Sequence, residues 1–320
     1  MQTNKLKAIS LKNRKTRSAL SVAAVFSVLL VLLAFFVPQF YSVTNFSNIL
    51  EQCSTIGILA VGISFVLVGG GMDISLASNL CCSAVLGGLV MKNVGSIPLG
   101  IVVIFGTALA FGAFNGIAVA YFKMVPFIVT LSTQVLATGL GVLLSSSKSI
   151  FGIPEGFLNA LTISIAGFPL AIYVLFVMVI LYWLILNRSV LGRKIFSVGS
   201  NENAAVVSGI NVRLIRMSTY LFSSLCSAIV AVLLTARLGC ASMQMASDST
   251  NMDVMCSAIL GGVSLSGGKG SVWGAFLGAC FIVVFSNLVN LIGIGYYPSL
   301  MIKGAVVVLV TCWDANRSKR

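Results

Sequence analysis

The chain has 320 residues, of which 58% are hydrophobic and only 8% are charged, and its formal net charge is +13. A soluble globular domain carries about 25% charged residues, so this composition excludes a protein whose surface is covered by water. The basic residues are scattered between apolar runs rather than gathered on one domain, which argues against nucleic-acid binding. Histidine is absent and the eight cysteines form no CxxC pair, so we expect neither a metal site nor a cofactor.

Taken in chain order, the apolar runs predict an all-α polytopic membrane protein with about ten transmembrane helices. A spanning helix needs about 20 apolar residues, and no run alternates as a membrane β-strand does. The first run exceeds the apolar core of a secretory signal peptide, so it is counted as a retained span. The predicted spans are 19–37, 52–70, 74–91, 97–122, 126–147, 168–187, 217–236, 253–268, 271–291 and 297–313. They define one transmembrane domain, 19–313, between a basic segment, 1–18, and a tail, 314–320.

Two of the predicted spans are interrupted by glycine. Gly69, Gly70 and Gly71 precede Asp73 in the first half, and the second half carries a similar break at 267–271. The span 253–268 is also short, since sixteen residues at about 1.5 Å each give only ~24 Å. Either region could be a re-entrant hairpin, which would leave eight crossings. Irregular backbone at membrane depth is tolerated only beside protein or water, so these breaks indicate a transport path.

The basic residues indicate the orientation. With the N-terminus in the cytoplasm, 16 Lys and Arg residues fall inside, whereas Lys92, Lys148 and Arg237 fall outside. Cytoplasmic loops carry an excess of Lys and Arg. We therefore expect both termini, and the polar loop 188–216 between spans six and seven, on the cytoplasmic side.

The loop 188–216 has the pattern of a short capped helix. Gly199 and Asn201 suit a turn and an N-cap, residues 204–207 a helix, and Gly209 its C-terminal end. A short helix with a small-residue face can insert into a groove on a partner, although an ordinary basic loop remains the alternative. A bulky residue at Gly199 or Ala205 would then uncouple transport without blocking membrane insertion.

Several blocks of the sequence resemble the ribose-type sugar permeases of bacterial ABC importers. Residues 192–210 are similar to their G-R-x-x-x-x-x-G-x-N-x-x-A-A-x-x-S-G-I stretch, and 70–78 to their G-G-I-D-L-S-V-G-S. Further matches follow in order at 126–133, 236–239, 261–271 and 303–304. Each block is weak alone, but together they run from about residue 45 to 305. The departures are Ala77, Ser132, Val263 and Asn251; the last stands where the family commonly has Glu, which leaves substrate choice open.

The resemblance implies a permease subunit without its own ATPase. It implies a homodimer around a central path, ATP-binding subunits (two copies or one tandem chain) that dock on the cytoplasmic loop, and an extracytoplasmic sugar-binding protein. The coupling residues it marks are Gly192, Arg193, Gly199, Asn201, Ala204, Ala205 and Gly209. The implied cellular location is the bacterial inner membrane.

A neutral polar sugar needs hydroxyl and amide groups along its path. The candidates within the spans are Ser75, Ser78, Asn79, Asn115, Thr130, Thr133, Gln134, Asn287 and Asn290. Each could instead satisfy a neighbouring helix backbone. A buried charge costs about 2.5 kcal/mol or more near the bilayer centre, so Asp73 and Lys303 stand out. Asp73 is expected to cap a half-helix beginning at Ile74, and Lys303 is expected either to pair with Asp73 or to extend to the membrane interface.

Two other classes of membrane protein fit the sequence less well. A secondary carrier driven by an ion gradient usually has several ionisable groups at depth, whereas here there are Asp73 and Asp253. A membrane-embedded enzyme is disfavoured by the missing histidine and the lack of clustered nucleophiles. The segment 267–271 lacks the spacing of a Walker A motif, so ATP hydrolysis is assigned to partner subunits.

Overall fold

The computed structural model describes residues 38–246, 248–293, 295, 297–301, 304 and 305. The predicted first span, 19–37, lies outside these residues, as does Lys303 and most of the predicted last span. A 3-10 turn, Pro38–Tyr41, opens the described part. The α-helices that follow are α1 Val43–Val68, α2 Leu76–Val94, α3 Ile97–Ala120, α4 Pro126–Ser145, α5 Glu155–Leu161, α6 Leu170–Arg188, α7 Val190–Ser200, α8 Glu202–Val207, α9 Val212–Leu238, α10 Asp248–Leu260 and α11 Val272–Leu291. Between α5 and α6, strands β1 Ser164–Ile165 and β2 Phe168–Pro169 form an antiparallel pair.

The helices confirm an all-α polytopic architecture. Within the described residues, six helices are long and apolar enough to cross a membrane: α1, α3, α4, α6, α9 and α11. Helix α2, with 19 residues, is about 28 Å long, so the pair α1 and α2 is long enough to cross twice. Helix α10 has only 13 residues, about 20 Å, and the residues after it up to 271 are not helical.

Local capping explains several helix boundaries. Ser96 accepts a hydrogen bond from the Leu99 amide at the start of α3, and Pro126 occupies the first turn of α4. Proline suits this position because its missing N–H has no partner in the first turn anyway. Helix α2 ends where Gly95 takes a left-handed conformation, φ +72°, a common way to terminate a helix.

The contacts divide the chain into two units, residues 50–282, and residues 1–49 with 283–320. In the larger unit α3 packs against α2 and α9. Small residues permit this approach, because a Cβ at Gly116 would lie 3.1 Å from Met217 Cα and one at Gly87 would lie 2.8 Å from Gly100 O. Close packing at small residues stabilises helix pairs in lipid, where no hydrophobic effect drives helices together. In the smaller unit the amides of Asn45 and Asn287 pair reciprocally, at 3.1 and 2.8 Å.

Candidate functional site

The two glycine interruptions and the loop 188–216 meet at one place. Gly70, just after α1, has φ +77°, and Gly199 near the end of α7 packs against its backbone, with 3.6 Å between Gly199 Cα and the position of a Cβ on Gly70. A Cβ on Gly267 would lie 2.7 Å from Gly199 O and 2.9 Å from Gly70 Cα. The Gly268 amide donates to Val68 O at 2.8 Å.

We call Gly70, Gly199, Gly267 and Gly268 the glycine junction. Their backbones approach so closely that side chains are excluded: Gly268 also has φ +69°, a region where a Cβ is strained. A Cβ on Gly199 would lie inside the van der Waals envelope of Val68 O and 2.7 Å from Gly268 N. The sequence predicted the two breaks separately, and the structure joins both to α7.

The loop 188–216 folds into α7 and α8, each with a side-chain cap. Ser189 Oγ accepts from the Gly192 amide at 3.0 Å, and Asn201 Oδ1 accepts from the Ala204 amide at 3.0 Å. Gly209 follows α8 with φ +75°, and the Ile210 amide reaches Ala205 O at 3.0 Å. The expected N-cap and C-terminal glycine are both present. Gly199, however, lies inside α7 rather than in a turn.

The marked coupling residues fall on different sides of this segment. Gly192 and Ala205 are buried in the chain's own core, whereas Arg193, Asn201, Ala204 and Gly209 are exposed. The most exposed apolar side chain of α8 is Val207, at 88%, and Val206 is 57% exposed. Sequence reasoning missed these two valines, because six helical residues are too few for periodicity to show which face is buried.

Asp73 lies at the centre of a buried hydrogen-bond network beside the junction. Its Oδ1 accepts from the amide and hydroxyl of Ser75, at 3.0 and 2.6 Å, and its Oδ2 accepts from Ser223 Oγ at 3.1 Å. Asn115 Nδ2 donates to Ser75 Oγ at 2.9 Å, and Thr133 Oγ1 donates to Asn115 Oδ1 at 2.6 Å. The network therefore connects the start of α2 with α3, α4 and α9.

This geometry refines the expected role of Asp73. Helix α2 begins at Leu76 rather than Ile74, and the carboxylate is held by Ser75 and Ser223 rather than by amides of the glycine break. Hydrogen bonds to a charged group contribute about 1.5–3 kcal/mol each, which explains how a carboxylate that is 4% exposed is accommodated. Its proposed partner Lys303 lies outside the described residues.

Asn251 of α10 caps the N-terminal end of α2. Its Oδ1 accepts from the Ala77 amide at 3.0 Å, so a side chain distant in sequence satisfies one of the amides that a helix N-terminus leaves free. Asn251 is only 5% exposed. The departure from the Glu common in the resembling permeases therefore falls on a helix cap in this structure.

The other path candidates are dispersed. Asn79 Nδ2 donates to Ala108 O at 3.2 Å, and Thr130 Oγ1 donates to Pro126 O at 3.0 Å in its own helix. Thr138 Oγ1 donates to Ser78 Oγ at 3.1 Å. Gln134 is half-buried with no partner for its Oε1 among the described residues. Asn287 pairs with Asn45 in the smaller unit, and Asn290 is exposed.

A cavity of about 490 Å³ lies between α3 and α4. Thr133 lines it together with Thr107, Phe111 and Phe114, so the Asp73 network ends at its wall. Among the described residues no group of His, Cys, Asp or Glu side chains is arranged to hold a metal ion.

The family comparison identifies the chain as a transport-system membrane component. Residues 45–311 match the family described as branched-chain amino acid transport system / permease component, and the chain belongs to that family. Its helices and this membership make it a multi-pass inner-membrane protein.

Among curated proteins, the chain is similar to sugar import permeases. It is 31% identical over 294 residues to the ribose import permease protein RbsC of Bacillus subtilis (strain 168), covering 91% of each chain. It is 33% identical to RbsC of Haemophilus influenzae, covering 90% of each chain, and 29% identical to the D-allose transport system permease protein AlsC of Escherichia coli (strain K12), covering 92% of this chain and 91% of that one. No solved structure gives a significant match.

Proposed function

We propose that this chain is the membrane-spanning permease subunit of an ATP-binding-cassette importer and forms the translocation path for a ribose-like monosaccharide or a related sugar or polyol. The curated relatives named for ribose and allose support the substrate class. The α3–α4 cavity is lined by apolar side chains and by the hydroxyl groups of Thr107 and Thr133. This uncharged lining suits a neutral sugar better than an amino acid, whose carboxylate and ammonium groups would call for charged partners.

The observation that carries the coupling mechanism is the glycine junction. Helix α7 contacts both interrupted segments directly, so displacement of α7 by an ATP-binding subunit acts on 68–71 and 267–268 together. Beside the segment 68–71, a chain of hydrogen bonds connects Asp73 and Asn115 to Thr133 at the cavity wall. Packed elements of this kind transmit displacement because close-packed contacts do not deform continuously.

The docking surface for the ATP-binding subunits is the exposed face of α8. Val207 and Ala204 are exposed on it, while Ala205 anchors α8 from the buried side. Glu202 is held by Arg216 of α9 at 2.8 Å, so α8 is fixed to the helix that follows. ATP hydrolysis belongs to these partners, either two copies or one tandem chain, and an extracytoplasmic sugar-binding protein delivers the solute on the opposite side.

A second copy of the permease completes the path. Helix α4 carries Thr133 toward the Asp73 network, but much of its remaining surface is uncovered, with Ser132 and Leu131 exposed beside the half-buried Gln134. A homodimer that packs along α4 would cover this exposed face. The charge bias supports a cytoplasmic location for both termini and the α7–α8 segment.

The docking role of α8 is tested by Val207→Asp. Because Val207 is 88% exposed, the substitution leaves folding intact, but a carboxylate in an apolar contact loses at least about tenfold in ATPase affinity, equivalent to ~1.4 kcal/mol. Binding of the cognate ATP-binding subunit to the purified permease measures this. The matched control is Val94→Asp, at the far end of α2 and 62% exposed.

The function itself is tested by uptake of labelled ribose, allose and galactose into proteoliposomes that contain the permease, ATPase subunits and binding protein. We expect uptake only with hydrolysable ATP inside. Uptake by the permease alone, driven by an ion gradient, would contradict the proposal and favour a secondary carrier. In the binding experiment, equal affinity of the Val207→Asp and Val94→Asp variants for the ATP-binding subunit would show that α8 is not part of the docking surface.

A further inference from the structure

The short hairpin before α6 is an apolar projection from the end of the bundle. Strand pairing joins Ser164 with Pro169 and Ile165 with Phe168, and the turn between them holds Ala166 and Gly167 at φ +50° and +83°. Such positive values at both central residues are typical of a tight hairpin turn. We refer to residues 163–169 as the apolar hairpin.

The apolar hairpin is attached to the start of α6 by two hydrogen bonds. The Leu170 amide donates to Ile163 O at 3.0 Å, and Tyr173 OH donates to Ile165 O at 2.8 Å. These bonds fix the hairpin relative to the axis of α6. The position of α6 in the bilayer therefore decides whether the hairpin lies in water, at the membrane interface or in the hydrocarbon.

Helix length places the hairpin at the edge of the hydrocarbon. Helix α6 has 19 residues, about 28 Å at 1.5 Å per residue, against a hydrocarbon core of ~30 Å. Its C-terminal end is marked by Arg188, whose guanidinium carbon lies 5.7 Å from the ring centroid of Trp183, a pair of residue types that favour the membrane interface. Leu170 at the other end then lies at the opposite hydrocarbon boundary, with the hairpin directly beyond it.

Apart from Ser164, the exposed side chains of the hairpin are apolar. Ile163, Ile165 and Phe168 are 50%, 47% and 43% exposed, although an isolated two-stranded hairpin is only marginally stable in water. Exposed apolar side chains also occur on α6, at Phe176 and Val177. No charged residue occurs anywhere in 156–187, whereas protein-docking surfaces have a polar rim.

We propose that the apolar hairpin is a membrane anchor that inserts Ile165 and Phe168 into the headgroup–acyl boundary of the leaflet at the N-terminal end of α6. The partner is the lipid surface itself. Insertion covers the apolar side chains and sets the depth of α6. The docking surface for a soluble binding protein then excludes the hairpin.

The test uses the full-length chain in phosphatidylcholine nanodiscs, with Trp183, Trp273 and Trp313 replaced by Phe. Phe168→Trp adds one indole on the hairpin, and Asn159→Trp adds one on the exposed face of α5 as the matched control. Fluorescence quenching by phosphatidylcholine brominated near the top of its acyl chains reports contact with lipid. Quenching by iodide reports contact with water.

We expect bromolipid to quench the Phe168→Trp indole at least about threefold more than the Asn159→Trp indole, and iodide to show the reverse order, since interfacial side chains lie ~5–10 Å within the headgroup–acyl boundary. Ile165→Trp should behave like Phe168→Trp and guards against a local effect of one substitution. Iodide quenching of both hairpin indoles at the level of the control would overturn the proposal. So would shielding from iodide that appears only when the cognate binding protein is added.

Discussion

Thr133 shows how one hydroxyl links two parts of the proposed path. Its hydroxyl donates to Asn115 Oδ1 at 2.6 Å, and Val129 O of its own helix lies 3.0 Å from the same oxygen. The residue is buried and borders the α3–α4 cavity. Its neighbour Ser132 is exposed and donates to Ile128 O of its own helix. These two adjacent residues thus differ in structural role, because Thr133 belongs to the buried hydrogen-bond network and Ser132 does not.

We expect Thr133→Val to lower the free energy of unfolding by about 1–3 kcal/mol, because the substitution keeps the shape but leaves the buried Asn115 Oδ1 without its donor. Ser132→Ala should change stability by no more than about 0.5 kcal/mol. Denaturation of the two purified variants in mixed detergent micelles compares them directly. A loss of the same size in both would show that the network does not stabilise the fold.

The same network shows what the sequence alone leaves undetermined at the residue scale. Ser75, Asn115 and Thr133 were recognised as polar residues in apolar spans, but not as partners, since Ser75 and Asn115 are 40 positions apart. Ser223, which completes the shell of Asp73, was not among the candidates. A serine in a membrane helix usually bonds to its own backbone, so its residue type carries no signal of a distant acceptor.

At the scale of elements, the main errors of boundary prediction arise at charges. Helix α1 begins at Val43 rather than near 52, because Glu51 does not end the apolar helix. Arg237 Nε lies 2.5 Å from Glu51 Oε2, so the two charges compensate each other between α1 and α9. The second difference is at 261–268, predicted as helix but non-helical, where glycine favours the turns that reach the junction.

The junction itself could not be predicted from the sequence. Each glycine segment has a clear local signature, but the contact of Gly199 with segments near 70 and 267 depends on tertiary packing. Local propensity indicates where a chain can bend but not which other segments the bend will contact.

Gly199→Ala should disrupt coupling at the junction. Alanine normally favours a helix over glycine by about 1 kcal/mol, but here the added methyl group meets the backbone of Val68 and Gly268 and must displace α7. We expect sugar uptake per ATP hydrolysed to fall by about tenfold, the effect of a displacement that costs ~1.4 kcal/mol. Membrane insertion and the amount of protein should be retained.

Gly156→Ala in α5 is the control for this substitution, because the nearest atom to the added methyl group is Ile97 Cδ1 at 3.4 Å, an ordinary contact. It should leave uptake and ATP hydrolysis unchanged. Uptake and ATP hydrolysis measured in the same proteoliposomes separate lost coupling from lost ATPase binding. Normal uptake per ATP in Gly199→Ala would show that α7 does not drive the junction.

At the scale of the whole molecule, the charge distribution agrees better with a single membrane orientation than the sequence alone indicated. Arg237 was one of three basic residues on the side opposite the bias, and its ion pair with Glu51 removes its net charge from that count. Arg216 on the other side is likewise paired with Glu202, so Lys92 and Lys148 remain against 15 basic residues. Short-loop Lys and Arg set the orientation of a multi-pass protein, so the bias favours one insertion direction strongly.

The orientation leads to a direct prediction for two exposed positions, Lys148 and Lys194. In intact spheroplasts, a membrane-impermeant thiol reagent should modify Lys148→Cys and leave Lys194→Cys unmodified until the membrane is permeabilised. The unsubstituted chain gives the background from its native thiols, most of which are buried in the described residues. Modification of Lys194→Cys from outside, with protection of Lys148→Cys, would place α7 and α8 on the wrong side for ATP-binding subunits, and the proposed coupling could not operate.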